Sequence, residues 1–212
     1  MTMLAEATQR ETRSRILRVT VPQDIDTLGD LIAALSSIRA LYDITWKLDH
    51  GLANAIHSPS PASDPVPKTT PDLHIASIRQ GSLLVEFFED YRALAVSASV
   101  LGGGGTLWLA ASVIRRGPKV LADFVADAVS MPDRYRATRA SHAAHRYERQ
   151  AAATEAQLAD LNAKLKAWYV SEGSEAAWLA YQRLITVSGP DLEAQVVDEE
   201  GNELPDPRTL DG

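Results

Sequence analysis

One uncharged run dominates the pattern of polar and apolar positions: the 22 residues from Ala93 to Ile114, ALAVSASVLGGGGTLWLAASVI. About 20 apolar residues in a helix cross a hydrocarbon layer, so the run is long enough for a membrane span. Its four glycines, Gly102 to Gly105, disfavour a continuous helix by roughly 4 kcal/mol in water. Two hypotheses therefore stand: the run enters a bilayer, as a span or as a re-entrant hairpin, or it is buried in the protein's own core.

Under either hypothesis the same residues are expected to lie in lipid or in the core. They are Leu94, Val96, Val100, Leu101, Gly102, Gly103, Gly104, Gly105, Leu107, Trp108, Leu109, Val113 and Ile114.

The pattern before this run predicts a small β-α-β-β unit. Ile16 to Val21 alternates apolar and polar side chains, as a half-buried strand does. Asp26 or Thr27 can cap a helix that reaches at least Ala40, because apolar residues then recur at intervals of three and four. After a segment with five prolines between residues 57 and 71, Leu73 to Asp90 predicts a β-hairpin that turns at Gln80-Gly81. A three-stranded sheet with one helix needs another layer, and the run after Ala93 is the obvious cover.

The pattern after the run predicts helices. Gly117-Pro118 begins one helix, and Pro132 begins a longer one that runs to about Ser171 with apolar residues at heptad-like spacing. This spacing suits self-association or packing within the chain. The residues expected to mediate self-association are Tyr147, Leu158, Leu161, Leu165 and Trp168.

The C-terminal residues are predicted to change from helix to strand. Gly173 is expected to interrupt the long helix, and a short helix is predicted from Glu175 to Arg183. Two strands, Leu184–Val187 and Leu192–Val197, would follow, with a turn at Asp198–Asn202. The fold class is thus α+β: a β-α-β-β unit, a glycine-rich apolar helical segment, a long C-terminal helix and a short C-terminal β-hairpin.

The same pattern divides the chain into six segments. They are an N-terminal strand and amphipathic helix (1–57), a Pro/Ser-rich linker or loop (58–71), a β-hairpin (72–92), the apolar segment (93–130), the long heptad-like helix with a short helix (131–188) and an acidic tail (189–212).

Charge is unevenly distributed along the chain. The net charge is −7, and the segment from Gly189 to the C-terminus contains eight acidic residues and one arginine, so the rest is neutral overall. A basic patch follows the apolar run, where it could meet anionic lipid head groups. Nucleic acid is a less favoured partner, and a solvated face is the simplest alternative. The patch comprises Arg115, Arg116, Lys119, Arg134, Arg136, Arg139, Arg146 and Arg149.

Candidate chemistry is sparse. The chain has no cysteine, which excludes disulfides and thiolate sites. No Lys-Ser/Thr pair follows the glycines, as a phosphate-binding loop requires. His142, His145 and Glu148 share helical spacing, but no second cluster completes a metal site. We therefore predict no catalytic, cofactor or metal site.

The function predicted from the sequence is that of a non-enzymatic, membrane-associated assembly protein that forms homo-oligomers through its long helix. The alternative is a soluble α+β interaction module with the apolar run in its core, and a pore-forming protein is a third, weaker hypothesis. Because no secretory signal follows the N-terminus, the expected location is the cytoplasm or the cytoplasmic face of a membrane.

Overall fold

The structure, a computed structural model, describes residues 15–21, 25, 27–57, 64–79, 83–89, 105–127 and 148–205. The strands are β1 (Ile16–Val21), β2 (Leu73–Arg79), β3 (Leu83–Glu89) and β4 (Glu193–Val197). The helices are α1 (Leu28–His57), α2 (Gly105–Arg116), α3 (residues 119–127), α4 (Glu148–Trp168) and α5 (Ser174–Ser188), with a π-helical turn at Tyr169–Gly173. The predicted α+β class is confirmed.

The four strands form one antiparallel sheet in the order β2-β3-β1-β4. On central β1, Leu17, Val19 and Val21 are fully buried, whereas the residues between them are only half-buried. This alternation gives the sheet an apolar inner face and a more polar outer face. β3 and β4 add further buried side chains to the inner face: Val85, Phe87, Ala194 and Val196.

Helix α1 begins at a reciprocal cap. The Asp30 N–H donates to Thr27 Oγ1 at 3.1 Å, and the Thr27 hydroxyl donates to Asp30 Oδ2 at 2.7 Å. This cap stabilises the first turn as predicted. The helix runs on to His57, beyond the predicted minimum, because Leu48 and Leu52 continue its buried stripe.

Helix α2 forms a layer between the sheet and α1. One side contacts β1 and β4, and the other side contacts α1. All ten residues from Gly105 to Ile114 are consequently buried. The apolar run is therefore core over this half, while residues 93–104 of the run lie outside the described residues.

Helix α4, the π-helical turn and α5 form one continuous helical rod, antiparallel to α1. A Cβ on Gly51 would lie 2.9 Å from Leu165 Cδ1, and Lys47 Nζ lies 5.8 Å from the centre of the Trp168 ring. Leu165 thus lies beside Gly51, and the later residue Trp168 lies beside the earlier residue Lys47, so the rod and α1 run in opposite directions. The predicted start of the long helix at Pro132 lies outside the described residues.

Two predictions for this rod are wrong. Gly173 does not interrupt the helix but lies within the π-helical turn, where a Cβ would approach the Tyr169 ring to 3.0 Å. Leu184–Val187 are helical rather than a strand, because Leu184 and Ser188 continue the stripe with which α5 faces the core. The β-branched residues between them made this stretch look like a strand.

The predicted strand at Leu192–Val197 and the turn after it are present. β4 pairs with β1, and the chain then folds back, so that Val197 bridges Glu203 and the Leu204 N–H donates to the Val196 carbonyl oxygen at 2.8 Å. Gly201 has a φ of +88°, the left-handed conformation predicted for it. The second arm of the C-terminal hairpin therefore follows β4 instead of preceding it.

Candidate functional site

A buried polar cluster joins α1 to the start of α2. The Thr106 hydroxyl donates to Asp49 Oδ2 at 2.9 Å, and these residues are 1% and 0% exposed. A carboxylate near the first turn of a helix is stabilised by the helix dipole. Asp49 therefore fixes where α2 begins against α1, and it does so where water is excluded.

His50 extends this cluster. Its ring stacks on Trp46 with centroids 4.1 Å apart, and its Nδ1 lies 3.2 Å from the Trp46 carbonyl oxygen. That oxygen can only accept, so the neutral ring carries its proton on Nδ1. Burial lowers the pKa of His50 to about 4, because the charged imidazolium is poorly solvated there. Among the described residues no group pairs with His50 Nε2.

Histidine, aspartate and hydroxyl groups together are typical of hydrolytic sites, but this cluster is closed. Asp49, His50 and Thr106 are each at most 1% exposed. A catalytic base must come within hydrogen-bonding distance of its substrate. The cluster therefore serves the packing of α1 on α2.

A small cleft lies between α2 and β4. Its volume is about 50 Å³, enough for a few water molecules, whereas pockets for small-molecule ligands measure ~300–1,000 Å³. Two of its lining residues are hydrogen-bonded, since the Trp108 indole N–H donates to the Leu204 carbonyl oxygen at 3.3 Å. The lining residues are Trp108, Ala111, Ser112, Arg115, Ala194, Gln195, Val196, Glu203 and Leu204.

The predicted basic patch is only partly described. Arg115, Arg116 and Lys119 are exposed at and just beyond the C-terminal end of α2. Arg115 and Arg116 lie in the last turn of α2, where the negative end of the helix dipole favours cations, whereas Lys119 lies at the start of α3. Arg134, Arg136, Arg139 and Arg146 lie outside the described residues. For Arg149 the structure describes only the backbone, in α4.

The residues predicted for self-association are used within the chain where they are described. Leu158, Leu161 and Leu165 are 9%, 1% and 2% exposed, and the half-buried Trp168 packs against the main core. Tyr147 lies outside the described residues. The heptad-like seam thus reflects packing of the rod on its own domain at these positions.

Sequence reasoning missed a polar network on the outer face of the sheet. The Arg18 guanidinium donates to Glu86 Oε1 from Nε and Nη2, at 3.0 and 2.7 Å, and the Ser77 hydroxyl donates to Glu86 Oε2 at 2.8 Å. These bonds, first that from Ser77, lower the pKa of Glu86. Alternation in Ile16–Val21 placed Arg18 on this face, but its partners depend on strand register.

Sequence reasoning also missed two exposed isoleucines on the edge strand β2, Ile75 and Ile78. A β-bulge at Ala76 puts both on the inner face of the sheet. The hydropathy pattern carries no signal for the bulge, since Leu73, Ile75 and Ser77 read as simple alternation.

The described residues contain no group of three or more histidine, aspartate or glutamate side chains placed to hold a metal ion. None of the helices in the described ranges combines the length and apolar character that crossing a bilayer requires. Comparison with protein-family models, curated proteins and solved structures finds no match for this chain.

Proposed function

We propose that the protein is a non-enzymatic α+β interaction module in which α2, the described half of the uncharged run, is a structural core element. The burial of α2 carries this proposal: every residue from Gly105 to Ile114 is buried, and α2 contacts β1, β4 and α1. A helix covered on all sides has no apolar surface left to offer a lipid phase. What the module offers to partners is therefore its surface, not this segment.

The closed polar cluster and the small cleft support the non-enzymatic part of the proposal. Asp49 and His50, the acid–base groups of this cluster, are unreachable from solvent. The cleft beside Trp108 holds too little volume for a small-molecule substrate.

Tryptophan fluorescence tests the proposal. The chain has four tryptophans, and a variant with Trp46→Phe, Trp168→Phe and Trp178→Phe retains only Trp108, which is 8% exposed. We expect its emission to be unaffected by liposomes of brominated lipid. A matched variant that retains only Trp178, which is 52% exposed, should be quenched by aqueous acrylamide. Quenching of Trp108 by the brominated lipid would contradict the proposal.

A second candidate function is peripheral association with an anionic membrane at its cytoplasmic face. The observation that favours it is the exposure of Arg115, Arg116 and Lys119 at one end of α2. Each such charge adds about 1 kcal/mol of attraction near an anionic surface.

Liposome co-sedimentation tests this candidate. The protein should pellet with phosphatidylserine vesicles but not with neutral vesicles, and Arg115→Glu with Arg116→Glu should abolish the difference. Equal recovery with both kinds of vesicle would contradict it.

A further inference from the structure

The edge strand β2 carries two half-exposed isoleucines on the face of the sheet that otherwise forms the core. Ile75 is 46% exposed and Ile78 is 47% exposed. Their neighbours on β3, Phe87 and Val85, are 3% and 0% exposed. The apolar face therefore continues past β3 onto β2, where it remains half-uncovered.

The bulge at Ala76 brings Ile75 and Ile78 onto the same face of the sheet. In a regular strand, residues three positions apart point to opposite faces. The extra residue of the bulge shifts the alternation, so that Ile75 and Ile78 share the inner face while Ser77 pairs with Glu86 on the outer face. Ile75 and Ile78 are thus placed symmetrically on either side of the point midway between residues 76 and 77.

The backbone of β2 also has an open side. β2 is the first strand in the order β2-β3-β1-β4, and among the described residues no strand pairs with its outer edge. An open edge of this kind is a template for another strand. In an antiparallel pairing of two identical strands about a two-fold axis between residues 76 and 77, Ile75 lies opposite Ile78 of the second copy. The axis repeats the contact, so four isoleucine side chains meet on the inner face.

Charges at the two ends of β2 fit the same register. Asp72 and Arg79 are both exposed. In this pairing Arg79 lies opposite His74 of the second copy, and Asp72 of that copy is its diagonal neighbour on the outer face. Diagonal neighbours lie roughly 7–8 Å apart, within reach of a long side chain such as arginine. In this register each Arg79 is within reach of Asp72 of the other copy, which precedes β2 directly, so the pairing is complementary in charge on both sides of the axis.

From these observations we infer that β2 pairs with β2 of a second copy of this chain, joining two four-stranded sheets into one of eight strands. The inference rests on the proposed function, since it supplies a partner for an interaction module. It places self-association on the sheet edge and leaves the long helix to pack within its own chain.

Charge reversal tests the register with the full chain. Sedimentation velocity over a wide range of protein concentration should show a reversible dimer. Asp72→Arg or Arg79→Asp alone should raise the dimer Kd roughly 10- to 100-fold. Each substitution is present in both copies, so it converts two attractive contacts into two repulsive ones. The double variant, D72R with R79D, should restore the affinity to within a few-fold of the original.

A matched pair of lysine substitutions tests the apolar contact. Ile78→Lys should also weaken the dimer, whereas Ile32→Lys, at a site on α1 that is 55% exposed, should leave it unchanged. Circular dichroism confirms that each variant is folded, as expected for substitutions at exposed positions. A monomer at all concentrations would overturn the inference, as would a dimer insensitive to the reversals or one weakened equally by both lysine substitutions. The Trp108 measurement does not depend on oligomeric state, so either proposal can fail while the other stands.

Discussion

The two faces of the sheet come from the same strands but are stabilised differently. On the inner face, Val19 and its neighbours pack beneath α2 with no exposed surface. On the outer face, Arg18 and Glu86 form a partly exposed ion pair with Ser77. The difference shows where the free energy of folding is concentrated, because burial of apolar surface outweighs ion pairs that retain contact with water.

The largest effect is expected from a cavity in α2. Leu109→Ala removes a fully buried side chain and should lower the free energy of unfolding by roughly 2–5 kcal/mol. Leu179→Ala, at a position that is 56% exposed, is the matched control and should change it by less than about 0.5 kcal/mol. Urea denaturation measures both, and similar losses at the two sites would contradict the account of α2 as core.

Acid should destabilise the protein through His50. The pKa of His50 is lowered to about 4 in the folded protein, so the unfolded chain binds this proton more readily, and stability falls as the pH falls from 6.5 toward 4. The loss attributable to His50 should reach roughly 2–3 kcal/mol.

A substitution that cannot titrate isolates this contribution. His50→Gln should flatten the dependence of the unfolding free energy on pH between about pH 7 and pH 4, while carboxylates such as Glu86 still contribute at the acid end. Parallel curves for the two proteins would show that His50 is not buried in its neutral form.

The hydrogen bond at the start of α2 should have an intermediate effect. Thr106→Val keeps the shape of the side chain but leaves Asp49 without this hydroxyl, so it should cost about 1–2 kcal/mol. The control is Thr186→Val, where the exposed hydroxyl donates only to the Gln182 carbonyl oxygen of its own helix. If thermal unfolding shows the same shift for both variants, Asp49 does not fix the start of α2.

The smallest effect is expected on the outer face. Glu86→Gln should cost about 1 kcal/mol, because its ion pair with Arg18 is partly buried. Asp160→Asn breaks an ion pair with Lys164 of similar length, 2.8 Å, in which both side chains are about half-exposed, and should cost less than about 0.5 kcal/mol. If urea denaturation shows that Asp160→Asn lowers the free energy of unfolding more than Glu86→Gln does, burial does not strengthen the Arg18–Glu86 ion pair.

Much of the N-terminal unit follows from local sequence. The alternation in Ile16–Val21, the cap at Thr27 and the apolar second strand of the hairpin all appear in the structure. These features depend on neighbours within a few positions, which a single sequence displays directly.

The errors arise where distant residues decide the outcome. Gly51 lies within α1 because the Pro65 carbonyl oxygen packs against it: a Cβ there would lie 2.7 Å from that oxygen, so the glycine serves tertiary packing. Gly173 similarly admits the Trp168 and Tyr169 rings into the π-helical turn. A lone sequence shows each glycine only as a potential helix breaker.

The exposed side chains of β2 and of the segment after α2 were the hardest features to predict from the sequence. The bulge at Ala76 depends on how β2 pairs with β3, so the exposure of Ile75 and Ile78 could not be read from alternation. The basic residues that follow α2 were visible in the sequence, but their exposure depends on where α2 ends.

Hydrogen–deuterium exchange of the α2 amides tests the central claim, that the protein itself covers this half of the uncharged run. In detergent-free buffer, the amides of Trp108 to Ile114 should exchange only through global unfolding and should be equally slow when anionic liposomes are added. Fast exchange in buffer, or protection that appears only with liposomes, would contradict the account.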